Sequence, residues 1–259
     1  MPLGNLSRLP VCDECLARID PIVEPRCKVC GDVLSVGFDA SVNPGEICGA
    51  CEVERPLFVR ATSYGAYAGE LREVIHLLKY QQVRSAAGVL GCMLAQAAEP
   101  LLTEFQSQSI MAIPVPLHAS KFRERGFNQA ELILQSAIKE LSRGKSGKEQ
   151  PELQCDTTVL LRRRATESQV GMTREERREN IRGAFVVAAK EQVAGREVLL
   201  VDDVMTTGAT VSECARMLSA AGAKAVFVAT VARSLRESSL FASYREGTED
   251  AALLRAGSC

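Results

Sequence analysis

Val198 to Thr210 (VLLVDDVMTTGAT) gathers the residue types that a sugar phosphate needs. Val198–Val201 are apolar and read as a buried strand. Asp202 and Asp203 follow at its C-terminal end, where open α/β sheets bind their ligands. Thr206-Thr207-Gly208-Ala209-Thr210 then makes a turn of small residues into a helix. Such a turn presents backbone N–H groups at a positive helix end and adds hydroxyl donors, which together cradle a phosphate monoester. Two carboxylates beside a phosphate pocket need a reason, because like charges repel. Ribose supplies one: carboxylates accept hydrogen bonds from its hydroxyls, or orient water on a bound Mg²⁺. Neither G-x-x-x-x-G-K-[ST] nor G-x-G-x-x-G is present, which argues against a nucleoside triphosphatase loop and a dinucleotide loop. An ordinary strand–turn–helix with solvated aspartates has no need of all these features together.

A second chemistry lies near the start. Six of the ten cysteines form three C-x-x-C pairs, Cys12/Cys15, Cys27/Cys30 and Cys48/Cys51. Each short turn aims two thiolates at one ion, and two such turns complete a tetrahedral zinc site. The last two pairs are 17 residues apart, which fits C-x₂-C-x₁₅₋₂₀-C-x₂-C. Cys27, Cys30, Cys48 and Cys51 are therefore assigned to one structural Zn²⁺. Gly31 and Gly49 ease the tight turns. Cys12 and Cys15 belong to a second site lacking half its ligands, or replace a pair in the first. A thioredoxin-like redox pair is the rival for any single C-x-x-C, but no βαβ pattern surrounds these. A segment of about 55 residues with few apolar side chains builds little core, so metal would hold it together.

These groups must be positioned by regular elements. A strand is expected at 61–67. A helix is expected over Glu70–Tyr80, with Leu71, Val74, Ile75 and Leu78 on one face. A small-residue helix follows at 85–98, a buried strand at 110–116 closed by prolines, and a helix from Asn128 to about Leu141. Ser142–Glu152 reads as a surface loop. Further strands are expected at 183–188, 198–201 and 225–231. A helix from Val211 to Ala221 lies between the last two, with Gly222 at its end. Strand–helix–strand order with apolar strands implies a parallel α/β sheet. Composition changes after Pro56, so residues 1–56 are read as a cysteine-rich zinc module and 57–235 as the α/β domain. Residues 236–259 read as a polar tail.

The 259 residues carry 31 basic and 32 acidic side chains, a net charge of −1, which excludes a globally basic nucleic-acid coat protein. No apolar run reaches the roughly 18 residues of a membrane span. The first residues lack the basic and apolar regions of a secretory signal, so the expectation is a soluble, cytoplasmic protein with reduced thiols.

Residues 198–210 resemble the phosphoribosyl pyrophosphate (PRPP) motif of type I phosphoribosyltransferases. Ile113-Pro114-Val115-Pro116-Leu117-His118, then Arg125-Gly126-Phe127-Asn128-Gln129-Ala130, resemble the P-x-P-L-H…R-G-F-N-Q-A signature of the ComF family. Leu160–Phe185 resembles that family's R-x-x-x-T-x-x-Q…R-x-x-N…A-F segment, and Leu78-Lys79-Tyr80 its helix end. The resemblance implies a type I phosphoribosyltransferase-like parallel sheet flanked by helices, with a variable hood, a flexible loop and a small N-terminal zinc ribbon. It places Asp202 and Asp203 at the ribose 2′- and 3′-hydroxyls as the catalytic pair. Met205, Thr206, Thr207, Gly208, Ala209 and Thr210 would complete the PRPP-binding run, with the 5′-phosphate on the turn. Pro114, Val115, Pro116 and Leu117 would form the pyrophosphate loop. His118, Arg125, Asn128, Gln129 and Arg164 would be further ligand contacts. Many members carry four C-x-x-C pairs, so Cys12 and Cys15 would be the remaining half of a first ribbon.

Two functions follow as expectations. One is a Mg²⁺- and PRPP-dependent transferase with an unassigned acceptor. The other is a non-catalytic module that binds single-stranded DNA through the zinc module and the arginines of 160–182, where seven arginines meet four glutamates. Against the second, the chain has four tyrosines, eight phenylalanines and no tryptophan for base stacking. The same arginines could equally form a solvated face paired with the glutamates. Oligomeric state is not legible in the sequence.

Overall fold

The computed structural model describes residues 10–23, 25–34, 47–143, 151–166 and 172–235. The proposed tail at 236–259 and most of the 142–152 loop lie outside them. In chain order the elements are α1 (Asp13–Ala17), α2 (Gly49–Val53), β1 (Arg60–Ala66), α3 (Gly69–Tyr80), α4 (Ala86–Leu102), β2 (Ser109–Pro114), α5 (Ala119–Arg125) and α6 (Gln129–Arg143). Then come β3 (Glu152–Cys155), β4 (Leu160–Arg162), α7 (Arg174–Ile181), β5 (Phe185–Val187), α8 (Lys190–Val193), β6 (Glu197–Met205), α9 (Ala209–Ala220) and β7 (Ala225–Arg233).

Five strands form one sheet in the order β1-β7-β6-β2-β3, and every neighbouring pair is parallel. A parallel sheet must be covered on both faces, and alternation along the central strands does this. Leu199 and Val201 of β6 join one core with α3, α4 and α6, while Val198 and Leu200 join the other with α9. Leu71, Val74, Ile75 and Leu78 of α3 are all buried, as their spacing requires.

Two strands depart from the sequence expectation. Residues 185–187 do form a strand, but it pairs antiparallel with β4 in a two-stranded sheet beside the main one. β6 runs through the acid pair to Met205, so Asp202 and Asp203 lie within a strand rather than beyond it.

The N-terminal segment closes the β1 edge. Ile22 N–H donates to Tyr64 O (2.7 Å) and Ala61 N–H donates to Val29 O (2.7 Å). Backbone groups that would otherwise template aggregation are thereby paired. Gly31 sits at φ +71° against β1, and a Cβ there would lie 2.6 Å from Ala61 O, so no other residue fits.

Candidate phosphoribosyl site and cysteine cluster

Because all five strands run the same way, their C-terminal ends share one edge. β2 and β6 are neighbours, with Pro114 paired in register to Val201. Val115 N–H donates to Val201 O (2.8 Å), which brings the Pro114–Leu117 loop directly beside Asp202. Gly208 takes φ +79°, caps α9, and turns the chain so that the start of α9 points at this edge. Ala209 N–H donates to Thr207 Oγ1 (3.4 Å). Thr206, Thr207 and Thr210 keep partial exposure. The acid pair, the loop and the Thr206–Thr210 turn therefore meet at one edge.

The two aspartates differ. Asp203 is buried, and its Oδ2 lies 2.8 Å from Lys79 Nζ, itself largely buried at the end of α3. Burial works against the Lys79 ammonium, but the charge and hydrogen bond of Asp203 outweigh it and raise its pKa overall. Asp202 is partly exposed and accepts a hydrogen bond from Asp203 N–H (2.9 Å). Burial, then the adjacent Asp203 charge, pushes the Asp202 carboxyl up to about 8. With Lys79 committed to Asp203, Asp202 is left to hydroxyl groups or to a divalent cation, which would favour its ionised form. Lys79 had no assigned role in the sequence reading. Its signal was its place at i+4 from Ile75, a charge on the border of a buried stripe.

The other expected ligand contacts are placed unequally. Asn128 is buried and spent on backbone: its Nδ2 donates to Val115 O (3.0 Å), and its Oδ1 accepts from Ala130 N–H (3.1 Å). It fastens the loop to α6. Gln129 Oε1 accepts from Arg125 Nη1, and the Arg125 guanidinium lies 5.7 Å from the exposed Tyr80 ring. His118 caps α5, its Nδ1 accepting from Ser120 N–H (3.3 Å). Arg164 Nη2 donates to the carbonyls of Asn180 (2.7 Å) and Arg182 (2.8 Å), which ties it to α7 rather than to the acid pair. Arg162 is the half-buried member of that arginine run, its guanidinium 5.4 Å from the Phe185 ring.

Cys27, Cys30, Cys48 and Cys51 are all buried, and their sulfurs lie within 4.8 Å of one another. Cys30 Sγ and Cys48 Sγ are 3.6 Å apart. Tetrahedral Zn–S bonds of about 2.3 Å put sulfurs about 3.8 Å apart, so the donor set fits zinc. The thiols compete for protons. Hydrogen bonds from Cys30 and Cys51 hold Cys27 well below the ordinary thiol range, and the same bond to Cys27 pushes Cys30 up to about 12. Cys12 and Cys15 are outside this group. Cys12 caps α1, its Sγ 3.4 Å from Cys15 N.

The cysteine cluster is linked to the same sheet edge. Arg233, at the end of β7, is 4% exposed. Its Nη1 donates to Cys30 O (2.7 Å), its Nε to Asp32 Oδ1 (3.3 Å), and its Nη2 faces Cys30 Sγ at 3.6 Å. The same residue pairs in register with Met205, where the phosphate turn begins.

A parallel sheet with this edge defines a phosphoribosyltransferase-type α/β protein. A family model described as "Phosphoribosyl transferase domain" matches residues 125–244. The chain is 31% identical over 238 residues to the DNA utilization protein YhgH of Escherichia coli O157:H7, covering 91% of this chain and 95% of that protein. It is 30% identical over 235 residues to Competence protein F of Haemophilus influenzae, covering 89% and 94%. To Competence protein ComFC of Bacillus subtilis it is 24% identical over 215 residues, covering 80% and 77%. The chain belongs to the ComF family.

Proposed function

We propose that this protein binds PRPP with Mg²⁺ and transfers its phosphoribosyl group to an acceptor in the cytoplasm. The observation that carries this reading is the convergence of the Pro114–Leu117 loop, the Asp202–Asp203 pair and the Thr206–Thr210 turn at one sheet edge. The turn receives the 5′-phosphate on backbone N–H groups and threonine hydroxyls. Asp202 and Asp203 accept hydrogen bonds from the ribose hydroxyls. The loop backbone, with Arg125 and His118 beyond it, faces the pyrophosphate. Bound Mg²⁺ would neutralise pyrophosphate charge as the bond to C1 breaks. The acceptor forms its bond to C1 as pyrophosphate departs, so the protein contributes mainly positioning and charge. Lys79 holds Asp203 in place and balances its charge before any ligand arrives. Zn²⁺ on Cys27, Cys30, Cys48 and Cys51 is structural. Among the described residues no helix is long and apolar enough to cross a membrane.

Relatives with names referring to DNA utilization and competence favour one second reading, a non-catalytic protein that binds single-stranded DNA. Calorimetric titration of the zinc-loaded protein with PRPP, with and without Mg²⁺, separates the two. Binding that needs Mg²⁺ and is lost in Asp202→Asn supports the PRPP reading and justifies a screen for pyrophosphate release. No heat with PRPP, together with salt-dependent binding of single-stranded DNA, supports the second.

A further inference from the structure

Among the described residues, the Thr206–Thr210 turn does not end against protein. On its far side it opens into a cavity of about 950 Å³. The floor is Met205–Ala209 with Ser212 of α9, one wall is the C-terminal half of α7, and the other is Ala50 and Cys51 of the cysteine-rich segment with residues 54–58. Asp202 and Asp203 do not line it. A pocket of about 300–1,000 Å³ takes a whole small molecule. A terminal phosphate held on the N–H groups of the turn leaves most of this space unused.

The charge of the cavity is ordered as well. Arg233 and Asp32 neutralise one another beside the cysteines. Of the remaining lining, Arg55, Arg177, Arg178, Arg182 and Arg216 face Glu54, Glu179 and Glu213, five cations against three anions. The Arg178–Glu54 pair bridges the two walls at the surface, and Arg182 lies 3.8 Å from Glu179 with both side chains about three-quarters exposed. Exposed pairs of this kind contribute little and exchange readily for another anion.

We propose that the cavity takes the continuation of a ligand whose ribose 5′-phosphate is esterified a second time, as a phosphodiester or a diphosphate ester. The proposal rests on the reading of the turn given above. A second ester still leaves the bridging phosphate with two free oxygens for the N–H groups of the turn. It also carries the chain away from the ribose, into the space the guanidiniums line. The ribose keeps its 2′- and 3′-hydroxyls on the acid pair. Two sources share this chemistry: a dinucleotide-type small molecule and the 3′-terminal residue of an oligoribonucleotide.

Calorimetry with four probes tests it: PRPP, ribose 5-phosphate, ADP-ribose, and the dinucleoside monophosphate ApA. At least one of ADP-ribose and ApA is expected to bind as tightly as ribose 5-phosphate, and the better of the two identifies the source. The double charge reversal Arg55→Glu/Arg182→Glu alters only exposed side chains of the lining. It should weaken the extended ligand about tenfold and leave ribose 5-phosphate within about twofold, with an unchanged melting temperature as the control for folding. The proposal fails, and the reading of the turn survives, if ribose 5-phosphate binds while both extended probes bind more than about tenfold more weakly. It fails equally if an extended probe binds but ignores the charge reversal. If neither PRPP nor ribose 5-phosphate binds, the reading of the turn fails and takes the extension with it.

Discussion

The cysteine cluster and the Thr206–Thr210 turn lie against the same end of β7, yet they are specified in opposite ways. Four side chains define the cluster. Its surroundings add few large apolar residues, chiefly Val29, Val33 and Phe58. The turn is defined by its backbone: strands buried on both faces, one left-handed glycine and the start of a helix. Side chains at the turn decide what it binds, while the sheet decides that it exists. A site built from ligands should therefore collapse when one ligand goes, whereas a site built from a sheet should lose function in small steps.

Removing the metal should have the largest effect. Structural zinc supplies about 10–16 kcal/mol in isolated finger peptides. Chelation, or Cys48→Ser, should lower the melting temperature by at least about 10 °C, with zinc release followed colorimetrically. An unchanged melt would mean that packing alone holds the cluster, and the contrast would vanish. Next is Lys79→Met, which strands Asp203 in the interior and should cost about 3–5 kcal/mol in urea unfolding. Adding Asp203→Asn should restore most of that loss; two additive losses would show that the pair is not coupled. Gly208→Ala should cost about 1–2 kcal/mol, because it forces a left-handed φ and puts a Cβ 2.9 Å from Met205 Cε. It should also weaken PRPP binding, and unaltered affinity would argue that the turn does not hold the phosphate.

The pH dependence of stability tests the acid pair separately. Asp202 is raised in the folded state to about 8, above its unfolded value of 3.8. The folded protein therefore holds an extra proton between those values, and stability falls as pH rises through that window, by no more than about 1.4 kcal/mol per pH unit. Above pH 8 this contribution levels off. Unfolding at pH 6 and pH 9 in the wild type and in Asp202→Asn should differ in slope; parallel slopes would refute the shift.

What the sequence made legible follows from the same contrast. The four zinc-compatible cysteines, the acid pair and the turn were readable because their chemistry lies in spacing. The α3 face was readable because burial has a period. Asn128 was readable as important but not as structural, since its partner, Val115 O, is a backbone atom no motif records. Lys79 and Asp203 are 124 positions apart, and Arg233 lies 201 positions from Asp32. Pairs at such separations are set by the sheet order and leave no local pattern. The 185–187 strand is assigned to the main sheet by its sequence for a like reason: an apolar run of a few residues does not say which sheet it joins.

Arg233 couples the cysteine-rich segment and the sheet in inheritance. A shortened descendant without residues 1–56 would strip Arg233 of both Asp32 and the Cys30 carbonyl, and uncover the end of β7. Loss of the module and replacement of the arginine would have to come together, or the lineage would pass through a poorly folded intermediate. Engineers who graft this α/β domain elsewhere face the same constraint, and Arg233 is the first position to redesign.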